Sequence, residues 1–199
     1  MAILGSLRRM ALGYAVVCFV GIGVGLLVGR FRLLDDLLGQ VAVAIHAMPG
    51  AAWVPLAILL FGLTEAAVIF TIVLGASGIV MVHTSAGIRD VPPLILRAAR
   101  VMGAQGTKMF WHVVVPAAIP RIVDGLRLAW AFGWRALMAG ELLVSSVHGM
   151  GQLLSEVAKR QEMQQLLAFM LIIAAIGMAV DGLIFRKMEG SVRTRWGTA

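Results

Sequence analysis

Charges set inside apolar runs are the residues of this chain best placed to do chemistry. Arg135 and Glu141 lie in an apolar stretch from about Ala117 to Val144. A guanidinium held away from water is costly, and it faces either a partner or a wet cavity. Arg135 therefore suits one of two roles: an anion contact on a transport path, or a structural pair with Glu141 or Asp181. Glu141, near the end of its run, either faces a pore or caps a loop. Asp181 lies close to Arg186 and reads as structural. His46, His83, His112 and His148 are scattered without metal-ligand spacing, so no metal site is expected.

The second candidate is the segment Arg97–Pro116, RAARVMGAQGTKMFWHVVVP, which is basic and amphipathic between two apolar neighbours. Ala98 and Ala99 leave room for a close partner. Gly103 permits a sharp reversal between two short helices, and Pro116 is expected to close the pair. Met102, Met109, Phe110 and Trp111 offer an adaptable apolar contact. The segment suits docking against a partner protein, and the alternative is an amphipathic helix lying on anionic lipid.

The elements that must hold these residues are membrane helices. Of 199 residues, 60% are hydrophobic and the mean hydropathy is +0.94. Apolar runs near twenty residues satisfy their backbone in lipid only as helices. Five spans are expected, at about Ala11–Gly29, Leu37–Phe61, Ala66–Ala86, Ala117–Val144 and Leu166–Phe185. Gly21, Gly25 and Gly29 form a small-residue stripe for close helix approach, within the subunit or at a dimer seam. Pro49, Gly50 and Pro55 break the second span, which is tolerated where backbone is buried in protein or lines a wet cavity. Trp53 beside the break reads as a pore-lining plug or an interfacial anchor. Pro92 and Pro93 start the element that leads into the basic segment. Ser145–Gln165 is a polar stretch. Cys18 is the only cysteine, so an intrachain disulfide is excluded, and no cleavable leader is expected.

The net charge of +7 implies membrane orientation rather than nucleic acid, because the basic residues are unevenly placed. Twelve of the seventeen Lys and Arg fall in Arg30–Asp36, Ile88–Arg127 and the tail, which includes Arg193 and Arg195. The positive-inside bias puts these segments in the cytoplasm. Five spans then leave the N-terminus outside, where Arg8 and Arg9 sit awkwardly.

The spacing A-A, three residues, G, nine residues, V-x-V-P resembles the cytoplasmic coupling loop of ABC importer permeases, whose pattern is E-A-A-x3-G-x9-I-x-L-P. Ala98, Ala99, Gly103, Val113, Val115 and Pro116 fall in register. Arg97 replaces the usual glutamate, and Gln105 stands where a capping serine is common. Trp53-Val54-Pro55-Leu56, Phe61-Gly62-Leu63, Gly125-Leu126-Arg127, Trp134, Ala139-Gly140-Glu141-Leu142 and Gly149-Met150-Gly151 resemble the nitrate, sulfonate and taurine branch. Together these cover about residues 45–190. Many members of that branch carry one more N-terminal span.

The resemblance implies an all-α membrane protein of the type I importer permease fold, with one transmembrane domain over 1–199 and a coupling loop at 88–116. It implies a bacterial inner-membrane subunit paired with a second copy, two cytoplasmic ATPase subunits and an extracytoplasmic solute-binding protein. It assigns Arg97, Ala98, Ala99, Gly103, Ala104, Val113, Val115 and Pro116 to ATPase coupling. Trp53, Trp134, Arg135 and Glu141 become candidates for the pathway of a small anionic solute.

The subunit itself is expected to be non-catalytic and without a cofactor. It lacks G-x4-G-K-[ST], so ATP would be bound by the partners. Two rivals remain. Gly75-Ala76-Ser77-Gly78 has the form of a rhomboid intramembrane serine protease motif. That chemistry needs a histidine from another span; His83 lies about 240° around the same helix, and His46 is the conceivable alternative. A secondary transporter working without ATP would normally show a second inverted half, and five spans show none.

Overall fold

The computed structural model describes residues 2–190, so Arg193 and Arg195 lie outside the described residues. The described chain is helical, with no strand. We label the helices α1 (Ala2–Arg30), α2 (Arg32–Ala47), α3 (Gly50–Phe61), α4 (Glu65–Arg89), α5 (Pro93–Val101), α6 (Gly106–Leu143), α7 (Met150–Lys159) and α8 (Met163–Gly190). α1, α4, α6 and α8 are each long and apolar enough to cross a membrane.

The second expected span is two helices, α2 and α3, bent by 103° at the Met48-Pro49 break. Contacts at the two ends of the bundle show where this pair runs. Asp35 at the start of α2 pairs with Arg89 at the end of α4, while Glu65 at the start of α4 pairs with Arg8 and Arg9 of α1. The bent pair therefore returns the chain from one end of the bundle to the other and supplies a fifth crossing.

α4 is the central helix, packed against α1 on one side and α6 on the other. The glycine stripe of α1 settles its own role. Cβ atoms built at Gly21, Gly25 and Gly29 would meet Val80, Thr84 and Ile88 of α4 at 2.5, 2.6 and 3.0 Å. The stripe is thus an intrasubunit seam. The main core gathers Met10, Val17, Val68, Ile72, Ile79, Val80, Trp130, Trp134 and Leu137 from these three helices.

Two expected boundaries move. α1 begins at Ala2 and carries Arg8 and Arg9 within its first turns, because carboxylates receive them. Pro116 does not close a helix: α6 runs unbroken from Gly106. The Val115 N–H reaches back five residues to the Phe110 carbonyl, a widened turn that absorbs the proline without ending the helix. The polar stretch after α6 contains the amphipathic helix α7.

Candidate functional site

Glu141 is fully buried, and every neighbour it has is structural. Its carboxylate accepts hydrogen bonds from Ser6 Oγ at 2.7 and 2.8 Å, from Arg9 Nη1 at 2.7 Å and from the Gly151 N–H at 3.0 Å. Arg9 also donates to Glu65 Oε1 and to the His148 carbonyl, both at 3.0 Å, and Ser6 Oγ accepts from the Met150 N–H. Four elements are clasped at one point: the starts of α1, α4 and α7 and the end of α6. Of the two roles open to Glu141, this is the loop cap, and the carboxylate has no free surface on a pathway in this conformation. Sequence reasoning missed Ser6, Arg9 and Glu65. The available signal was the pair of awkward arginines facing two carboxylates at the same end of the bundle.

Arg135 pairs with neither expected carboxylate. Glu141 is held by Arg9, and Asp181 accepts a bidentate pair from Arg127 at 2.8 and 2.9 Å. Arg135 is exposed on the single subunit, and its described contact is the Phe132 ring at 5.2 Å. It belongs to an exposed face of α6 that also carries Arg121, Asp124 and Leu128, recurring at helical spacing. His46 of α2 meets Phe132 edge-on at 5.7 Å. His83 of α4 packs on Gly125 and is an electrostatic neighbour of Arg121, Asp124 and His46. Nδ1 of both histidines is buried without a hydrogen-bond partner. The result is a polar lane of Arg121, Asp124, His83, His46 and Arg135 along the bundle. Sequence reasoning found Arg135 and left out the histidines, because only the fold brings α2 and α4 beside α6.

The break between α2 and α3 lies against this lane. A Cβ at Gly50 would sit 2.8 Å from Cβ of Ala136, the residue next to Arg135. Trp53, three residues further on, therefore lies at the depth of Arg135 and not at the end of the bundle. Its indole N–H is buried and unpartnered. Trp134 is buried, stacked on Trp130 with ring centroids 6.1 Å apart, and faces Gly177 of α8.

The basic segment lies at the opposite end from the Glu141 clasp. α5 closes with a paired Schellman turn: the Ala104 N–H bonds the Ala99 carbonyl at 2.9 Å and the Gly103 N–H bonds Arg100 at 3.0 Å. Gly103 takes φ of +84°, which a side chain would strain. Gln105 gives the start of α6 no side-chain cap. Ala99 is buried, Arg97 and Ala98 are exposed, Ala104 is half-buried, and Val113, Val115 and Pro116 are half-buried on the first turns of α6. Phe110 anchors the segment, packing with Ile88, Ala118 and Ile122 beneath the Arg30 guanidinium at 4.5 Å. Leu94, Val101, Met102 and Trp111 are left exposed among Arg97, Arg100 and Lys108. A cleft of ≈ 420 Å³ lies between Arg100, Ala104, Gln105, Gly106 and Met109.

A sequence profile described as binding-protein-dependent transport system inner membrane component matches residues 21–188. The chain belongs to this family. The permease is 34% identical over 176 residues to a protein named as an ABC transporter permease in Methanocaldococcus jannaschii, covering 88% of this chain and 66% of that one. It is 32% identical over 178 residues to a bicarbonate transport system permease protein of Synechococcus elongatus (89% and 64% covered). It is 28% identical over 182 residues to a nitrate import permease protein of a Synechocystis species (92% and 66% covered). The permease thus spans about two thirds of the length of these relatives.

Two solved structures share its fold. An amino acid ABC transporter with histidines matches at a TM-score of 0.74 and 18% identity, covering 98% of this chain and 92% of the other. An inward-facing methionine ABC transporter matches at 0.69 and 16%, covering 92% and 93%. The fold is that of an importer permease, all-α and multi-pass. In the permease, Ser77 is buried, and although the backbone of His46 packs on Gly78, the His46 Nδ1 accepts no hydrogen bond. Among the described residues no Ser–His hydrogen bond of the protease kind is formed. No cluster of potential metal ligands occurs among the described residues.

Proposed function

We propose that this permease forms the membrane pathway of an ATP-driven importer of a small anion, working as a homodimer with two cytoplasmic ATPase subunits and an extracytoplasmic binding protein. One observation carries the reading: α6 is a single helix with the exposed loop segment at one end and the polar lane along its length. A partner that pushes on Arg97–Trp111 moves the helix that bears Arg121, Asp124 and Arg135. That is a rigid-body route from ATPase closure to altered access. Leu94, Val101 and Met102 give the ATPase an apolar contact, Arg97 and Arg100 set its charge preference, and the Gly103 turn fixes the angle between the two helices.

Anion preference rests on Arg135, a cation in the bundle with an aromatic neighbour and no carboxylate pair among the described residues. The named relatives act on bicarbonate and nitrate, which fits an anionic cargo. The loop end, with Arg30, Arg89, Arg97, Arg100, Lys108, Arg121 and Arg127, is the cytoplasmic one. Arg9 is folded into the protein as part of the clasp, so it does not act as an external loop charge.

The test is uptake of labelled anion into proteoliposomes holding the permease and its ATPase, with binding protein supplied on the far side. Uptake should require hydrolysable ATP and should fall in Arg135→Gln. Accumulation without ATP would favour a secondary transporter and overturn the proposal.

A further inference from the structure

Arg30 ends α1 on the face that the bundle leaves uncovered. Leu12, Val16, Phe19, Gly23 and Leu27 are exposed and recur with Arg30 at helical spacing. An apolar stripe therefore runs along the outside of α1 to a single guanidinium. Phe19 is 83% exposed and Leu27 50%, and a Cβ built at Gly23 between them meets nothing within 4 Å. The stripe has a notch there, about 10 Å of helix from Arg30. The Arg30 guanidinium sits over two rings, 4.5 Å from the centre of Phe110 and 5.6 Å from that of Phe31. Trp111, itself half exposed, meets Phe110 edge-on at 5.4 Å. Arg32, the next cation, is exposed as well. Neither arginine has an ion pair among the described residues. Of the two carboxylates that follow, Asp35 is bonded to Arg89, and both line a cleft with Ser85 and Arg89.

The depth of this cluster identifies what it meets. Gly29 and Phe110 both pack on Ile88, next to the last residue of α4. At 25 residues, α4 is about 37 Å long and outreaches a hydrocarbon core of about 30 Å, so its end lies among the headgroups. Ring faces steady a guanidinium but leave its N–H donors without hydrogen-bond acceptors. At headgroup depth the abundant acceptor is lipid phosphate, which fits the guanidinium fork, and exposed aromatics favour the same level. Two unpaired guanidiniums select a headgroup of net negative charge over phosphatidylcholine, which carries its own cation. An ATPase subunit is the other partner at this end. It would reach Val101 and Met102 on α5, but it could not follow the α1 stripe into the hydrocarbon. We propose that the junction of α1 and α6 binds one anionic phospholipid of the leaflet at the loop end. Arg30 takes the phosphate between Phe31 and Trp111, Arg32 adds the second positive charge, and an acyl chain lies in the notch at Gly23. Phe110, under the guanidinium, also opens the widened turn Phe110–Val114 that joins the loop to the rest of α6. The lipid thus braces the joint through which the loop moves the bundle.

The test is native mass spectrometry of the full chain released from nanodiscs of equal parts phosphatidylglycerol and phosphatidylcholine with identical acyl chains. One phosphatidylglycerol per chain should be retained in preference to phosphatidylcholine. Arg30→Gln should reduce that preference about tenfold, and Arg30→Lys, which keeps the charge without the fork, should reduce it less. Gly23→Leu fills the notch at an exposed helical position, and Trp111→Leu removes an exposed ring. Both should weaken retention while the melting temperature in phosphatidylcholine alone stays unchanged. Lys159→Gln, at the other end of the bundle, should retain lipid as the wild type does. Equal retention of the two lipids would overturn the site, as would a preference unchanged in Arg30→Gln, or in both Gly23→Leu and Trp111→Leu. Displacement of the lipid by excess inorganic phosphate would overturn it too, assigning the arginines to a soluble anion. If Arg30→Gln instead abolished co-purification of the ATPase in nanodiscs of phosphatidylcholine alone, the arginine would belong to the ATPase contact and the lipid site would fall. Lipid retention needs neither ATP nor a binding protein, so its result stands apart from the importer reading.

Discussion

Glu141→Ala should destabilise the permease severely, and the clasp around Glu141 sets how far. The substitution removes the acceptor shared by three donors, the Ser6 hydroxyl, Arg9 Nη1 and the Gly151 N–H, and leaves that N–H with no described partner. It also strands the inner nitrogen of Arg9, whose side chain is only 5% exposed. Removing one partner of a buried ion pair costs about 3–5 kcal/mol. Here the lower end applies, because Arg9 keeps Glu65 and the His148 carbonyl. About 3 kcal/mol corresponds to a fall in melting temperature of about 6–12 °C for a chain of this size. Glu141→Gln, which retains one acceptor oxygen, should cost about 1–2 kcal/mol.

The measurement is thermal unfolding in detergent followed by circular dichroism, with limited trypsin digestion at Lys159 and Arg160 as a second readout. Loss of the clasp frees the start of α7, so cleavage should accelerate in Glu141→Ala before global unfolding. A double-mutant cycle with Arg9→Met isolates the pair: the sum of the two single losses should exceed the loss in the double mutant by about 2 kcal/mol or more. A double-mutant loss equal to the sum of the single losses, or a Glu141→Ala melting point within about 3 °C of wild type, would refute the account of a satisfied buried clasp.

Other outcomes follow from single positions. Gly103→Val forces a β-branched residue into φ of +84° at the loop turn and should cost about 1–2 kcal/mol locally; co-purification with the ATPase should drop while the bundle melts almost unchanged. Gly25→Leu drives a side chain into Thr84 and the Met81 carbonyl, 2.6 and 2.9 Å from the new Cβ, and should lower stability by about 1–3 kcal/mol in the same melts. Arg97→Glu restores the charge common in the resembled family and should change which ATPase subunits pair with the permease, as read by pull-down against a panel of them.

Much of this architecture is legible in the sequence because lipid imposes one solution on long apolar runs. Hydropathy placed each span, the proline–glycine cluster placed the break, and the small-residue spacing placed Gly103 at its reversal. What escaped has a common physical cause. Boundaries drawn at charges assume that charges belong in water, yet Arg9 and Glu141 neutralise each other inside the protein, so α1 starts earlier than the charges suggest. Pro116 was expected to end a helix because it lacks an N–H, but a widened turn upstream lets α6 continue through it. In the sequence His46 and His83 are far apart and read only as scattered histidines or as partners for Ser77; only the packing of α2 and α4 beside α6 brings them together and makes His83 a neighbour of Asp124 and Arg121.

The two ends of α6 also differ in how firmly they are held, and that difference bears on how the proposed importer would move. Glu141 fixes one end through side chains of α1 and backbone of α7, whereas the loop end exposes Val101, Met102 and Trp111. If motion enters at the loop, displacement should grow with distance from the clasp. Arg135 lies about 9 Å from Glu141 along the helix, Asp124 about 26 Å and Gly106 about 52 Å. A shift at the loop would then reach Asp124 at about half its size and Arg135 at about a sixth, less any bending at Pro116 and Pro120. Spin labels on the exposed α6 positions Leu128 and Ile119, each measured against one on α8, should therefore show a larger change at Ile119 when ATP is bound and then hydrolysed in the assembled transporter. Equal changes at both positions would mean that α6 translates as a whole, and the clasp would then have to break in every cycle.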